Sequence, residues 1–265
     1  MVEDTARLIE GIRVLQKLFP KLKRTVVAVE SETYRHIDPL IEALAEEEGI
    51  ELVSLATLYP QGAEKTLIRN LTQREVPPGG LPADVHCLVQ NVATTAAVAD
   101  AVLRGKPLTE RIVTVVGEAV QSPQNLRVRI GTPTAALLKQ AETDDSGIGR
   151  VVSGGPMMGR EVLDLQTPVT KGTNAISILS HEQVAPKAES PCIMCAECLY
   201  VCPVDLQPIL IADLSKRGRV EDAKEMGAMD CIECGACSYI CPAGIPLLDR
   251  IRDARGDIRA AAQAK

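Results

Sequence analysis

Read for the period of its apolar positions, the first third of the chain alternates helices with short strands. Leu8, Ile9, Ile12, Leu15 and Leu18 recur at helical spacing within residues 3–19, and Pro20 stops the run. The β-branched run 25–30 (TVVAVE) predicts a buried strand, residues 36–48 a helix closed by Gly49, and residues 50–56 (IELVSLA) a second strand. Such alternation is the signature of a parallel α/β layer. Residues 59–65 (YPQGAEK) then form a turn into a helix over 64–71, and a glycine-containing loop at a helix start is able to receive an anionic group through free backbone N–H groups. A plain β–α connection is the competing reading. VPPGGLP at 76–82 is a rigid loop. Residues 83–90 (ADVHCLVQ) read as a strand ending at Asn91, before an Ala-rich helix over 93–104. His36 reads as a helix-surface residue and Cys87 as core packing.

The pattern changes in the middle of the chain. Strands are expected at 111–117 and 125–130 around a Ser122-Pro123-Gln124 turn, followed by a short helix from Thr132-Pro133 through Gln140 and a strand at 151–153. Strand, turn, strand, helix and strand in that order suggest a small β-grasp-like unit. The glycine-rich turn 154–159 (GGPMMG) follows, and the polar stretch 181–190 reads as a linker. Beyond it the period is helical: 206–216 with Gly218 as cap, 220–226, and a tail from 245 to about 262. Arg250, Arg252, Arg255 and Arg259 on that tail read as a solvated face. The expected organisation is an α/β domain over 1–108, a β-grasp unit with return strands over 109–180 and a helical domain over 181–265.

Composition narrows the function. With one Phe, four Tyr and no Trp, Val, Leu, Ile and Ala must fill the core, and base stacking on aromatic side chains is disfavoured. A formal charge of −6 provides no footprint for a phosphate backbone, so nucleic acid is not an expected partner. No apolar run approaches the roughly 18–20 residues that a membrane span needs.

The cysteines carry the chemistry. Eight of nine lie in two copies of C-x2-C-x2-C-x3-C-P: Cys192, Cys195, Cys198, Cys202 before Pro203, and Cys231, Cys234, Cys237, Cys241 before Pro242. A cubane cluster needs four convergent thiolates, and three Cys at x2 intervals in a tight loop can wrap three irons. The fourth, after x3, enters a helical turn and points away from its own loop. In bacterial ferredoxins with this spacing it ligates the other cluster. By that rule Cys192, Cys195, Cys198 and Cys241 hold one [4Fe–4S] cluster, and Cys231, Cys234, Cys237 and Cys202 hold the other. Two Zn(Cys)4 sites are the alternative, although zinc sites rarely use this spacing twice. A disulfide framework suits short secreted chains, and no signal peptide is seen. Because 28 largely helical residues separate Cys202 from Cys231, the expectation is a helical dicluster module and not a compact β-ribbon ferredoxin. Cluster assembly requires a reducing compartment, which makes the cytoplasm the default.

The order of these motifs resembles a known family. YPQGAEKTLI, VPPGG, QNVATTAAV, TVVGEAV, SGGPMMG and the two cysteine blocks, taken together, are similar to the C subunit of the Rnf electron-transport complex across nearly the whole chain. The first two-thirds also resemble the NADH- and flavin-binding subunit of complex I. The resemblance implies a partial Rossmann-like flavin/NADH domain, an SLBB domain of β-grasp fold at about 111–140, and a dicluster ferredoxin module. It places Tyr59, Gly62, Glu64 and Asn91 on the segments that line an FMN site, with Arg35 nearby. The family's upstream G-x-G-G-x-x-x-P-type segment is not in this sequence, which begins at a point resembling the family just beyond it. FMN is therefore expected only with that segment, and the chain is not expected to be a complete catalyst alone. The implied role is electron transfer with NADH or ferredoxin as electron partners. The implied setting is among other subunits of a membrane-bound ion-translocating complex, peripheral on the cytoplasmic side of the inner or plasma membrane. A related flavin and Fe–S cobalamin reductase of bacterial microcompartments is the alternative, and a zinc scaffold is a third.

Overall fold

The N-terminal apolar stripe folds as helix α1 (Thr5–Leu18), which buries Leu8, Ile9 and Ile12. The computed structural model describes residues 3–185 and 188–263, and the chain divides into two compact units, Met1–Leu108 and Thr109–Lys265. In the first unit β1 (Thr25–Glu30) pairs in parallel with β2 (Ile50–Leu55), Thr25 opposite Ile50 through Glu30 opposite Leu55. Between them lie α2 (Ser31–Tyr34) and α3 (Asp38–Ala45), and α4 (Glu64–Thr72) and α5 (Val92–Arg104) follow. One core joins Leu8, Ile9 and Ile12 to Val27, Val29, Ile37, Leu40 and Leu44.

Two sequence expectations fail here, both at proline. The helix expected over 36–48 is shorter, α3 alone over Asp38–Ala45, because Pro39 lacks an N–H and fits only the first turn of a helix, so α3 starts at Asp38. His36 lies exposed in the intervening turn. Residues 83–90 are not a strand. Pro82 opens a 3-10 turn, Pro82–Val85, the Asp84 carboxylate accepts from the Leu81 N–H at 2.8 Å, and His86 closes the turn at φ 56°. With His86 N–H bonded to Ala83 and Cys87 N–H to Pro82, the segment satisfies these donors locally and cannot offer them to a ladder. Cys87 is half-buried, its thiol directed at the Val85 carbonyl.

The second unit begins with a five-stranded sheet. β3 (Glu110–Gly117) and β4 (Gln124–Arg129) form a hairpin, α6 (Thr134–Gln140) crosses over, and β5 (Ile148–Ser153), β6 (Arg160–Glu161) and β7 (Ala175–Ser180) complete the order β4-β3-β7-β5-β6. The parallel pairing of β7 with β3 is what makes this a grasp and not a meander. Val113, Val115, Val128, Leu137, Leu138, Val151, Ile176 and Ile178 fill its core without an aromatic ring. The expected linker 181–190 starts as a helical turn, α7 (His181–Val184), because Ser180 and Gln183 form a reciprocal capping box; positions 186 and 187 lie outside the described residues. The remaining elements are helical: α8 (Glu197–Tyr200), α9 (Pro208–Lys216), α10 (Val220–Glu225), α11 (Ala236–Ile240) and α12 (Leu247–Gln263). Ile211, Leu214, Ala223, Ile251, Ala254 and Ile258 pack α9, α10 and α12 together. Among the described residues no helix is long and apolar enough to cross a membrane.

Gly11 sets the approach of α1 to α5. A Cβ there would lie 2.0 Å from the Thr95 carbonyl oxygen, so only glycine permits the contact. We expect Gly11→Ala to destabilise the chain by roughly 1–3 kcal/mol, the usual cost of overpacking, read as a lowered midpoint of thermal unfolding. An unchanged midpoint would show that the helices separate freely.

Candidate metal centre

The two cysteine blocks repeat each other in backbone geometry as well as in spacing. In the first, Met194 and Ala196 adopt φ of 56° and 63°; in the second, the corresponding Glu233 and Gly235 adopt 56° and 79°. Three positions past the fourth cysteine, Asp205 and Gly244 do the same, at 54° and 63°. Left-handed backbone at a non-glycine residue costs roughly 1–2 kcal/mol, and such conformations persist where the surroundings demand them. Here they reverse the chain between successive cysteines, so that the side chains turn to one side. The reversal also aims backbone donors at sulfur: Met194 N–H lies 3.4 Å from Cys192 Sγ, Glu233 N–H 3.4 Å from Cys231 Sγ, and Leu206 N–H 3.3 Å from Cys202 Sγ.

The third cysteine of each block sits in a short helix, Cys198 in α8 and Cys237 in α11. The fourth leaves that helix toward the other block. Cys202 lines one small cavity, of about 20 Å3, with Cys231, Cys234 and Cys237, walled by Pro203, Leu206 and Leu248. Cys198 packs in one apolar cluster with Cys237, Ala243 and Ile245, and Cys241 lies against it. A staple holds the ends together: Ser190 N–H donates to the Ala243 carbonyl at 2.9 Å, and Arg250 donates to both Glu189 oxygens at 2.6 Å. The chain entering the first block is thereby tied to the chain leaving the second.

The two sulfur sets differ in exposure. Cys192 and Cys195 are exposed, whereas Cys234 and Cys237 are buried. Burial pushes the Cys237 thiol up to about 12, and the neighbouring Cys231, Cys234 and Cys202 sulfurs add to the effect. Burial also raises Cys234 and Cys198. At Cys231 burial raises the thiol most, opposed by the Glu233 N–H and then by the positive charge of Arg255. A quartet of crowded thiols resists becoming four anions unless cations arrive, so metal loading there must release protons. Among the described residues no group of three or more His, Cys, Asp or Glu is placed to hold a single metal ion. The donor set, all sulfur and ringed about a cavity, fits an iron–sulfur core.

Comparison with known proteins agrees. Residues 1–100 match the Nuo51 FMN-binding domain, residues 112–161 the SLBB domain and residues 186–242 the 4Fe-4S dicluster domain. The chain is 41% identical over 260 residues to the C subunit of the Na(+)-translocating ferredoxin:NAD(+) oxidoreductase complex of Acetobacterium woodii, covering 98% of this chain and 58% of that protein. It is 39% identical to the C subunit of the proton-translocating complex of Clostridium ljungdahlii (85% of this chain, 49% of that one). It is 41% identical to the C subunit of the ion-translocating oxidoreductase complex of Salmonella typhimurium (98% and 35%). The chain belongs to this C-subunit family. It spans between about a third and three-fifths of the length of these relatives. In fold it is similar to a chain of an NAD+-reducing [NiFe]-hydrogenase in the H2-reduced state, with a TM-score of 0.57 and 18% identity, covering 97% of this chain and 52% of that one.

In this family member two [4Fe–4S] clusters replace the zinc alternative, since residues 186–242 carry the dicluster pattern. The residues implied for a flavin site lie in the first unit. Tyr59 is half exposed, Gly62 is exposed, and Glu64 is the first residue of α4. Asn91 caps α5, its Oδ1 accepting from Ala93 N–H at 2.9 Å, so that oxygen already serves its own helix. Sequence reasoning missed two features beside the buried sulfurs. The solvated arginine face is in part not solvated: Arg250 and Arg255 are mostly covered and ion-paired to Glu189 and Glu233, while Arg259 is exposed. An arginine pattern on one helix cannot show that glutamates from two distant loops close over it. The GGPMMG turn also reaches the cysteines, for a Cβ on Gly235 would lie 3.0 Å from the Met157 carbonyl oxygen.

That contact separates two otherwise equivalent positions. Gly235→Ala adds both the left-handed penalty of about 1–2 kcal/mol and a collision with Met157, so it should lower thermal stability. Ala196→Gly relieves the same backbone conformation and should not. Equal effects of the two variants would contradict the packing described.

Proposed function

We propose that this chain carries out the electron transfer of the C subunit in an ion-translocating ferredoxin:NAD+ oxidoreductase. In this reading Cys192, Cys195, Cys198 and Cys241 hold one [4Fe–4S] cluster, and Cys231, Cys234, Cys237 and Cys202 hold the other. When bound, such clusters take up and release single electrons at potentials set by charge, sulfur hydrogen bonds and exposure. The chain's own part is to fix two sets of thiolates, to donate N–H groups from Met194, Glu233 and Leu206 to sulfur, and to keep water from the Cys234 and Cys237 side. The exposed Cys192 and Cys195 make their set the end open to an external electron partner. The observation that carries the reading is Cys202 lining one cavity with three cysteines of the other block.

The setting is proposed with it. The chain works as a peripheral subunit on the cytoplasmic side of the membrane, among the other subunits of the complex, with NADH or ferredoxin as the ultimate electron partners. Residues 1–108 act as the flavin-type domain, 109–180 as the SLBB unit and 181–265 as the ferredoxin module. Tyr59, Gly62, Glu64 and Asn91 would contact FMN together with the family's glycine-rich segment. The match of residues 1–100 to an FMN-binding domain supports this, as do relatives whose names describe ferredoxin:NAD(+) oxidoreduction.

Crossing is testable on the anaerobically reconstituted chain. Cys202→Ala should lose about half the iron and the EPR signal of the cluster built by Cys231, Cys234 and Cys237, leaving the other signal intact. Loss of the Cys192–Cys195–Cys198 signal instead would refute the crossed sets, and about two zinc ions without acid-labile sulfide would refute the redox reading.

A further inference from the structure

The backbone repeat makes the two ligand loops comparable residue by residue, and at one position they carry opposite chemistry. Two residues past the first cysteine, the first block has Met194, uncharged and 89% exposed, and the second has Glu233, with the same φ of 56°. Glu233 does two things. Its N–H donates to Cys231 Sγ at 3.4 Å, and its carboxylate accepts from Arg252 Nε at 3.0 Å and from the Arg255 guanidinium. Both arginines come from α12, three residues apart and so on one face of the helix.

Their charges are not equally effective. Arg252 also meets Asp249 at 3.6 Å, a carboxylate left 73% exposed, so that pair lies largely in water. The Arg255 side chain is only 12% exposed. Its Nε–H is buried without an acceptor among the described residues, an arrangement that calls for an explanation. It is tied to Cys231, one of the four sulfurs proposed for the buried cluster, through Glu233, whose carboxylate it grips and whose N–H donates to Cys231 Sγ.

We propose that Arg255, clamped by Glu233, is a positioning residue that raises the reduction potential of the cluster held by Cys231, Cys234, Cys237 and Cys202, and so makes the two clusters of the repeat inequivalent. The inference rests on the cluster reading above. Reduction adds one negative charge to an anionic cluster. Burial away from water disfavours that step, and a fixed, covered guanidinium clamped to the residue that hydrogen-bonds a ligand sulfur favours it. Glu233 holds the cation in place and partly offsets it. Removing either charge therefore moves the potential in opposite directions, which no purely structural role of the ion pair would do.

The test is an EPR-monitored redox titration of the full chain carrying both clusters, each signal assigned by its loss in Cys202→Ala. Arg255→Gln should shift the buried cluster's reduced-to-oxidised ratio at least tenfold toward oxidised at a given ambient potential, about 59 mV for one electron. Glu233→Gln should shift it the other way, and Arg255→Lys should stay near wild type. The signal retained in Cys202→Ala should not move in any of them. Shifts of the same sign in Arg255→Gln and Glu233→Gln, no shift in either, or a shift confined to the other cluster would overturn the proposal while leaving the function standing. If Arg255→Gln fails to load the cluster, Glu233→Gln decides by the sign of its shift. A wild-type chain without two iron–sulfur clusters would overturn both.

Discussion

Four sulfurs can share one inorganic core only if the chain brings them to a common space, and in this protein the cavity lined by Cys202, Cys231, Cys234 and Cys237 draws on two loops separated by a run of helices. The staple between Ser190 and Ala243, reinforced by Arg250 on Glu189, closes that arrangement by tying the start of the first block to the end of the second. The helices between the blocks pack on the helix that follows the second block, which makes the closure rigid. Ile211, Leu214, Ile251 and Ala254 form a core that fixes α9 and α12, and with them the fourth cysteines, relative to the ligand loops. Left-handed backbone at Met194, Ala196 and Glu233 is tolerated because ligand geometry and packing leave little alternative.

The repeat is not symmetrical in its surroundings. One block faces solvent through the Ile193–Met194 ligand loop, while the corresponding loop of the other is covered by the β-grasp turn at Met157 and by α12, although Tyr200 and its counterpart Tyr239 are both exposed. A relay benefits from this difference, because an exposed cluster can exchange electrons with an outside partner and a covered one is protected from water and oxidants. The β-grasp unit thereby acquires a mechanical role, since its glycine-rich turn lies against the second ligand loop within the same compact unit.

Much of the fold was legible in the chain's periodicities. The strand 25–30 (TVVAVE), the amphipathic stripe of α1 and the hairpin before α6 are local patterns, and local patterns survive into the structure because each segment's propensity agrees with its burial. The failures are equally local in origin. Residues 83–90 have the apolar content of a strand, yet Pro82 and the Asp84 cap satisfy the backbone in a turn before any ladder could form. The arginines of α12 misled for the opposite reason. Their helical spacing is real, but their partners Glu189 and Glu233 come from loops about 60 and 20 residues away in sequence, beyond the reach of a periodicity.

By itself, the sequence determined many of the elements, the donor set and its doubling, because spacing and side-chain chemistry are properties of the covalent chain. Tertiary structure alone decided which sulfurs share a cavity, which are buried, and which charges stand beside them. Those depend on where separated loops come to rest. A charge that reads as solvated in one dimension is held against a ligand loop in three, and its effect on an electron depends on that burial.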